Sequence, residues 1–263
     1  LTDLDATDAT VVAQVDKAGA YGKFNIDANG VWTYVTNDAV NQLNAGQMVT
    51  EVLNVTTTDG GTATITVKIT GTEDIATLTS ATKDLTETNA VLSTGGTLTV
   101  TDLDDVDATV VAQTDTLGTY GKFSITAAGA WTYATNAADT VDHLNVGDTV
   151  TETFAVTTTD GGSATVTVNI TGTNDAATVS SADVTLTETD ALLSTNGTLT
   201  SSDVDNTDNF TPLVVNGTYG DFELNSSGAW TFDANAVFNE LDAGQTYTET
   251  FNVTSVDGTP STV

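Results

Sequence analysis

The sequence contains no arginine and only five lysines, set against 36 aspartate and glutamate residues, so its formal net charge is −31. Proteins that bind nucleic acids need cationic side chains to replace the counterions on phosphates, and proteins that dock on anionic bilayers need them too. The composition therefore excludes a nucleic-acid partner and disfavours membrane docking. Repulsion on this scale also destabilises a compact chain unless cations neutralise it, so we expect the protein to bind cations.

Cysteine is absent as well, which excludes disulfides and suits a chain that crosses a secretion channel unfolded. No apolar run approaches the length of a membrane span, so we expect no membrane insertion in this segment. Leu1-Thr2 matches Val100-Thr101, which lies inside a later copy of the same pattern. We therefore expect the sequence to be a window cut from a longer array.

The chain is built from three copies of one pattern. Trp32, Trp131 and Trp230 are separated by 99 residues each time. A period near one hundred matches one small domain per copy and is far longer than that of a solenoid. We interpret the chain as repeat 1 (1–74, without its first strands), repeat 2 (75–175, complete) and repeat 3 (176–263, without its last strand).

Alternation of apolar and polar residues predicts strands throughout each repeat. In residues 62–70, Ala, Ile and Val alternate with Thr and Lys, a pattern typical of a strand with one buried face. Short loops that end in glycine, such as residues 27–30, predict hairpins, and only residues 37–46 suggest a helical turn. Seven short antiparallel strands per repeat predict an all-β chain of tandem immunoglobulin-like or cadherin-like sandwiches, stacked end to end as a rod.

Acidic residues recur at the same positions in the copies. With seven strands the chain leaves each repeat opposite its entry, so the acidic loop after the second strand faces the preceding linker, and the Asp-Gly-Gly turn faces it too. We expect a linker carboxylate, a first-strand glutamate and two or three loop aspartates to converge at each junction. The candidate metal ligands are Asp74, Glu87, Asp102, Asp104 and Asp107 at the first junction, Asn174, Asp175, Glu188, Asp203, Asp205 and Asp208 at the second, and the equivalent loop residues Asp3, Asp5 and Asp8 of repeat 1.

Calcium is the cofactor that this pattern predicts. Ca²⁺ takes about six to eight oxygen ligands from carboxylates and backbone carbonyls. Several carboxylates held close together repel one another strongly when no cation lies between them. Asp is also an ordinary turn residue, but the repeated combination of linker, glutamate and loop favours metal sites.

The combined motifs resemble the VCBS repeat of large bacterial surface adhesins. They are the linker Gly172-Thr173-Asn174-Asp175, the Thr101-Asp102-Leu103-Asp104 loop, the hairpin from Tyr120 to Tyr133 and the turn at Asp160-Gly161-Gly162. More distantly, the linker, glutamate and Asp-x-Asp set is similar to the interdomain calcium sites of cadherins. The resemblance implies an extender in an RTX-type adhesin, exported by type I secretion, that holds an adhesive tip away from the cell in adhesion or biofilm formation. Glu73 stands where Asn174 stands in the next linker, so the two junctions are expected to bind unequally.

Other functions have less support. The single histidine, His143, occurs only in repeat 2, and no distinctive segment forms a cleft, so we expect no enzyme and no catalytic residues. The tryptophans could stack on sugars, but they alternate in register with core positions, and a threonine row such as Thr62-x-Thr64-x-Thr66 could match ice. The incomplete outer repeats could also complete one another in a filament of copies of the chain, by strand donation. These readings remain alternatives to an extracellular spacer.

Overall fold

The computed structural model describes residues 9–104 and 108–263, so the predicted ligands Asp3, Asp5, Asp8 and Asp107 lie outside the described residues. Over these ranges the protein is all-β, with two short 3-10 turns and no α-helix. The described residues also include no helix long and apolar enough to cross a membrane. Three separate hydrophobic clusters form, one within each predicted repeat. The exact repeat boundaries stay predictions.

Repeat 2 is a sandwich of a four-stranded and a three-stranded sheet. Its strands are β6 (Thr77–Leu78), β7 (Ala81–Thr86), β8 (Ser93–Thr97), β9 (Val100–Thr101), β10 (Gln113–Leu117), β11 (Gly121–Ile125), β12 (Ala130–Thr135), β13 (Thr149–Thr157) and β14 (Ser163–Thr171); β1 to β5 belong to repeat 1. The sheet orders are β10-β11-β12-β8 and β13-β14-β7, and β6 pairs with β9 in a separate ribbon. A 3-10 turn at Ala138–Thr140 leads from the first sheet to the second.

The first strand of repeat 2 changes sheets, which the sequence pattern did not reveal. β6 pairs antiparallel with β9 at the start of the repeat. β7 then pairs parallel with β14, from Ala81 opposite Val166 to Thr86 opposite Thr171. The prediction that all strands are antiparallel is therefore wrong for this pair. Because β7 runs in the same direction as β14, it ends where repeat 2 ends.

The core of repeat 2 is aromatic and aliphatic. Phe123 stacks on Phe154 across the two sheets with ring centroids 4.8 Å apart, and Trp131 packs beside Phe123. Only 2% of Trp131 is exposed. A Cβ atom at Gly96 would stand 3.1 Å from the indole Nε1 atom of Trp131, so glycine lets β8 lie directly against the ring.

Repeat 1 has the same plan in the residues that are present. Its elements are β1 (Gln14–Ala18), β2 (Gly22–Ile26), β3 (Trp32–Thr36), a 3-10 turn at Asp38–Gln42, β4 (Met48–Thr56) and β5 (Thr62–Thr70). The 3-10 turn confirms the single helical suggestion at residues 37–46. Trp32 is 47% exposed, and among the described residues its strand β3 pairs only with β2, whereas β12 pairs with both β11 and β8. The expectation of a core tryptophan therefore holds for Trp131 and Trp230 and is wrong for Trp32.

Repeat 3 contains β15 (Thr178–Val179), β16 (Ser194–Thr198), β17 (Ser201–Ser202), β18 (Leu213–Asn216), β19 (Gly220–Leu224), β20 (Ala229–Ala234), β21 (Asn252–Thr254) and β22 (Pro260–Thr262). β22 pairs with β21 and corresponds to the first residues of the longer β14; the prediction that repeat 3 lacks its complete last strand stays a prediction. Its core repeats that of repeat 2, with Phe222 stacked on Phe251 at 4.5 Å.

The two tryptophans at equivalent positions provide a test of the core. Trp131→Ala removes a buried ring, which costs about 3–5 kcal/mol, so repeat 2 is expected to unfold at lower denaturant. Trp32→Ala is the matched control and should cost far less, because half of that ring is already in water. Hydrogen exchange measured repeat by repeat distinguishes the two. Normal protection of repeat 2 in Trp131→Ala, together with lost carbohydrate binding, would favour the glycan-binding alternative.

Candidate metal centres at the repeat ends

The acidic loop of repeat 2 meets the linker that precedes it. The backbone N–H of Asp74 donates to Asp104 Oδ2 at 3.0 Å. The backbone N–H of Asp104 donates to Asp102 Oδ1 at 3.2 Å. Asp104 is buried, and its Oδ1 atom has no hydrogen-bond partner among the described residues. The predicted convergence of linker and loop is therefore present for these three residues.

Glu87 lies at the opposite end of repeat 2. Its Oε2 atom accepts hydrogen bonds from the Thr173 hydroxyl at 2.6 Å and from the Thr173 N–H at 3.3 Å. Thr173 belongs to the linker after repeat 2. The expectation that Glu87 joins Asp74 and Asp104 is wrong, because the parallel β7 carries Glu87 away from the entry end.

Three carboxylates gather around that exit linker. Glu87, Asp142 and Asp175 each present an oxygen atom, and these atoms all lie within 4.8 Å of one another. Glu87 is 1% exposed and Asp175 is 8% exposed. One oxygen of each of the three carboxylates is buried and has no hydrogen-bond partner in the described part of the chain. The cluster therefore offers only oxygen atoms as ligands.

Sequence reasoning missed Asp142. It lies in the crossover after the 3-10 turn of repeat 2, where the other copies have Asn41 and Asn239. A search for acids that recur in every copy therefore passes over it. The only signal in the sequence was its position beside Leu144, a core residue at the end of the crossover.

The acidic loop of repeat 3 reaches the same linker from the other side. The Asp175 N–H donates to Asp205 Oδ2 at 3.4 Å, and the Asp205 N–H donates to Asp203 Oδ1 at 3.1 Å. Asp208 Oδ1 accepts the Asp203 N–H at 2.8 Å. The loop thus places the Asp205 carboxylate beside the Asp175 backbone, while the Asp175 carboxylate belongs to the exit cluster of repeat 2.

Asn174 and Glu188 complete the predicted set. The Asn174 amide donates to the Asp175 carbonyl at 3.0 Å and accepts from the Asn206 amide at 3.2 Å. Glu188 is half-buried and joins no group of three metal-ligating side chains within the described ranges. It is the counterpart of Glu87 in repeat 3, but the residues before it, 181–187, form no strand that would correspond to β7.

The pKa values of three carboxyl groups reflect this crowding. Burial, followed by the adjacent loop aspartate, raises the pKa of Asp104 and of Asp205. Burial, followed by the charges of Asp175 and Glu87, raises the pKa of Asp142. Like charges held this close repel one another. Neutralising the carboxylates with protons or with a cation would therefore stabilise the ends of the repeats.

A second group of buried acids has a structural role. Glu152 accepts hydrogen bonds from the Tyr133 hydroxyl and the Tyr120 N–H, both at 2.7 Å. Burial and the Glu152 carboxylate raise the pKa of Tyr133. Glu51 and Glu249 occupy the same place in the other repeats. Glu152 alternates in register with buried residues such as Phe154, and this register is the sequence signal for its inward position.

Comparisons with known proteins add the fold context. No protein-family model matches the sequence, and a search among curated proteins found no match. Solved structures include the protocadherin gamma B4 extracellular domain, at 14% identity and a TM-score of 0.46, with 98% of this chain and 42% of that chain covered. Protocadherin gamma B2 cadherin domains 1–5 give 14% identity and a TM-score of 0.45, with 100% and 53% covered. Mouse clustered PcdhgC3 EC1-3 gives 11% and 0.41, with 97% and 86% covered.

The chain thus spans less than two thirds of the first and second of these structures. Similarity at this identity and TM-score carries no functional argument.

The raised pKa values predict an unusual response to pH. Each folded-state pKa lies above the ~3.9 of an unfolded aspartate, so the stabilisation by protonation is complete below about pH 3.9 and is lost as pH rises through the raised value. In low salt with chelator, the melting temperature should therefore increase as pH falls from neutral toward the unfolded aspartate pKa of about 3.9. The triple variant Asp104→Asn, Asp142→Asn, Asp205→Asn should lose this slope. An unchanged slope in the variant would remove these groups as its source.

Proposed function

We propose that this chain is a calcium-binding extender from a secreted surface adhesin, in which cations stiffen the junctions between β-sandwich repeats. The observation that carries the proposal is the cluster of Glu87, Asp142 and Asp175 at the end of repeat 2. Its oxygens lie within 4.8 Å of one another, with one oxygen of each carboxylate unpartnered among the described residues. Such a cluster is unfavourable by itself and favourable around a cation.

The donor set fits calcium. All the available ligand atoms are oxygens, which excludes a preference for soft metals, and their number suits the high coordination of Ca²⁺ better than a compact Mg²⁺ octahedron. Asp203 and Asp205 lie on the far side of the linker and could add ligands from repeat 3. A cation held by both repeats would couple them. Affinity on the order of 10⁻⁴ to 10⁻³ M, as in extracellular modules, fits this role.

The spacer role follows from repetition and from the linkers. The three copies repeat the same sandwich and the same acidic loop, which favours length over a single reaction. Linker residues 71–76 and 172–177 are too short for wide hinging. The resemblance to VCBS repeats supports an extracellular location, export by type I secretion and a role in adhesion or biofilm formation.

Calcium binding is tested first by point variants of the exit cluster. Glu87→Gln and Asp142→Asn should each weaken calcium binding measured by titration calorimetry. Asp139→Asn is the matched control, because this exposed residue lies in the same crossover and loses the same charge. A ligand at a hundred times its Kd stabilises the folded state by about 2.7 kcal/mol, so calcium should raise the wild-type melting temperature. Equal titration curves for all three variants would exclude this cluster as the site.

The same variants separate a binding site from simple charge crowding. In chelator, Asp142→Asn relieves repulsion and should raise the melting temperature. In millimolar calcium it removes a ligand and should lower the melting temperature relative to wild type. A shift of the same sign in both conditions would contradict a cation at Asp142.

The spacer role predicts an elongated particle. A compact globule of 263 residues would have a radius of gyration of about 18 Å. Small-angle scattering in calcium should give a clearly larger radius and a long maximum dimension, and chelator should broaden the distance distribution. A globular profile in calcium would contradict the extender function.

Strand donation between copies is the second candidate. β5 pairs only with β4 among the described residues, whereas its counterpart β14 pairs with both β13 and β7. This open edge could accept a strand from another chain. Light scattering across a concentration series tests it, because an extender without strand exchange stays monomeric. The glycan-binding alternative loses support at Trp131 and Trp230, which are buried.

A further inference from the structure

The linker between repeats 2 and 3 is held by carboxylates through its own backbone. Alternate N–H groups along it each donate to an acidic side chain. The Thr173 N–H donates to Glu87 at 3.3 Å, the Asp175 N–H donates to Asp205 at 3.4 Å, and the Ala177 N–H donates to Asp257 at 2.9 Å. Alternate residues of an extended chain direct their N–H groups to the same side. Such bonds are charge-assisted and need no metal.

The first linker shows the same arrangement on the side of the following repeat. The Asp74 N–H donates to Asp104, and the Ala76 N–H donates to Asp160. Asp160 and Asp257 belong to the turn before the last strand of their repeats. In both linkers, therefore, the following repeat holds two alternate residues with one loop aspartate and one turn aspartate.

The preceding repeat holds the start of each linker. The Gly172 N–H donates to the Asp148 carbonyl at 2.9 Å, and the Gly71 N–H donates to the Gln47 carbonyl at 2.8 Å. A Cβ atom at Gly172 would stand 2.3 Å from the Leu144 carbonyl oxygen. Glycine is therefore required for this close approach, and it fixes the point where the chain leaves the sandwich.

These bonds divide the second linker between the two repeats. By their backbone N–H groups, Thr173 is held by Glu87 of repeat 2, and Asp175 and Ala177 are held by carboxylates of repeat 3. Residue 174 is the single position between the two sets. We propose that the aspartates of the pre-terminal turns, Asp160 and Asp257, are metal-independent positioning residues that confine the hinge between repeats 2 and 3 to residue 174 and the hinge before repeat 2 to the residues before Asp74.

The local environment keeps the Asp257 carboxylate ionised for this role. Burial opposes the charge, but hydrogen bonds from Ser255, Thr259 and the Ala177 N–H outweigh it and hold the pKa of Asp257 well below its usual range. For Asp160, the Ala76 N–H is the main cause of a lowered pKa. Both carboxylates stay available at neutral pH whether or not a cation occupies the neighbouring cluster.

The absence of cysteine makes the hinge measurable. Thr153→Cys on β13 and Glu223→Cys on β19 introduce two exposed labelling sites, one in each repeat. The distance distribution between two spin labels is recorded with chelator present, so that the result does not depend on the calcium proposal. Calcium titration of the same labelled chain tests that proposal separately.

Asp257→Ala removes the acceptor, and Asp59→Ala is its matched control. Asp59 occupies the same turn in repeat 1 and accepts the Thr57 hydroxyl, as Asp257 accepts the Ser255 hydroxyl. It makes no bond to a linker within the described residues. We expect a single narrow distance peak in the labelled parent and in Asp59→Ala, and loss of that peak in Asp257→Ala.

A second variant separates the hydrogen bond from the charge. Ala177→Pro removes the donor and keeps the carboxylate, so it should broaden the distribution as Asp257→Ala does, and it remains informative if Asp257→Ala unfolds repeat 3. Hydrogen exchange confirms that repeat 3 is folded in each variant. A broad distribution in the parent, or an unbroadened peak in Ala177→Pro with repeat 3 folded, would overturn the proposal.

Discussion

Repulsion between carboxylates at the ends of the repeats is the constraint on which this structure depends. The chain has almost no cationic side chains to offset it, and the acids are concentrated where one sandwich meets the next. The protein places backbone N–H groups against some of these oxygens and leaves others, such as Glu87 Oε1, without a partner among the described residues. The carboxylates that accept backbone N–H groups orient the linker. The carboxylate oxygens without a partner are the ones that a cation would stabilise.

The sandwich decides which acids meet. β6 pairs at the entry end, and β7 crosses to the other sheet and runs parallel to β14. One continuous segment therefore spans the repeat and delivers Glu87 to the exit. The acidic loop and the pre-terminal turn remain at the entry. The junction between repeats 2 and 3 therefore combines Glu87 of the repeat before with aspartates of the repeat after, so an ion bound there would depend on the alignment of both repeats.

The proposed stiffness of this protein would have two separable sources. Hydrogen bonds from Thr173, Asp175 and Ala177 define the path of the linker without metal. The cluster of Glu87, Asp142 and Asp175 lies around residue 174, the position that those bonds leave unassigned. A cation there would act across a very short hinge, which is an efficient way to straighten a chain of small domains.

The sequence alone determined the strands, the repeats and part of the acidic site. Period-two alternation predicted the strands, because one face of each sheet packs in the core and the other faces water. The spacing of the tryptophans revealed the repeats. The meeting of Asp74 with Asp104 also followed, since it depends only on the order of strands and turns. The partners of Glu87 and the role of Asp142 did not. The change of sheet before β7 and its parallel pairing with β14 are long-range contacts that leave no local pattern in the sequence. Asp142 leaves no repeated pattern either, because the other two repeats have asparagine at that position. Only the tertiary structure decided those positions, because the distance between two side chains from different strands is set by how the strands pair.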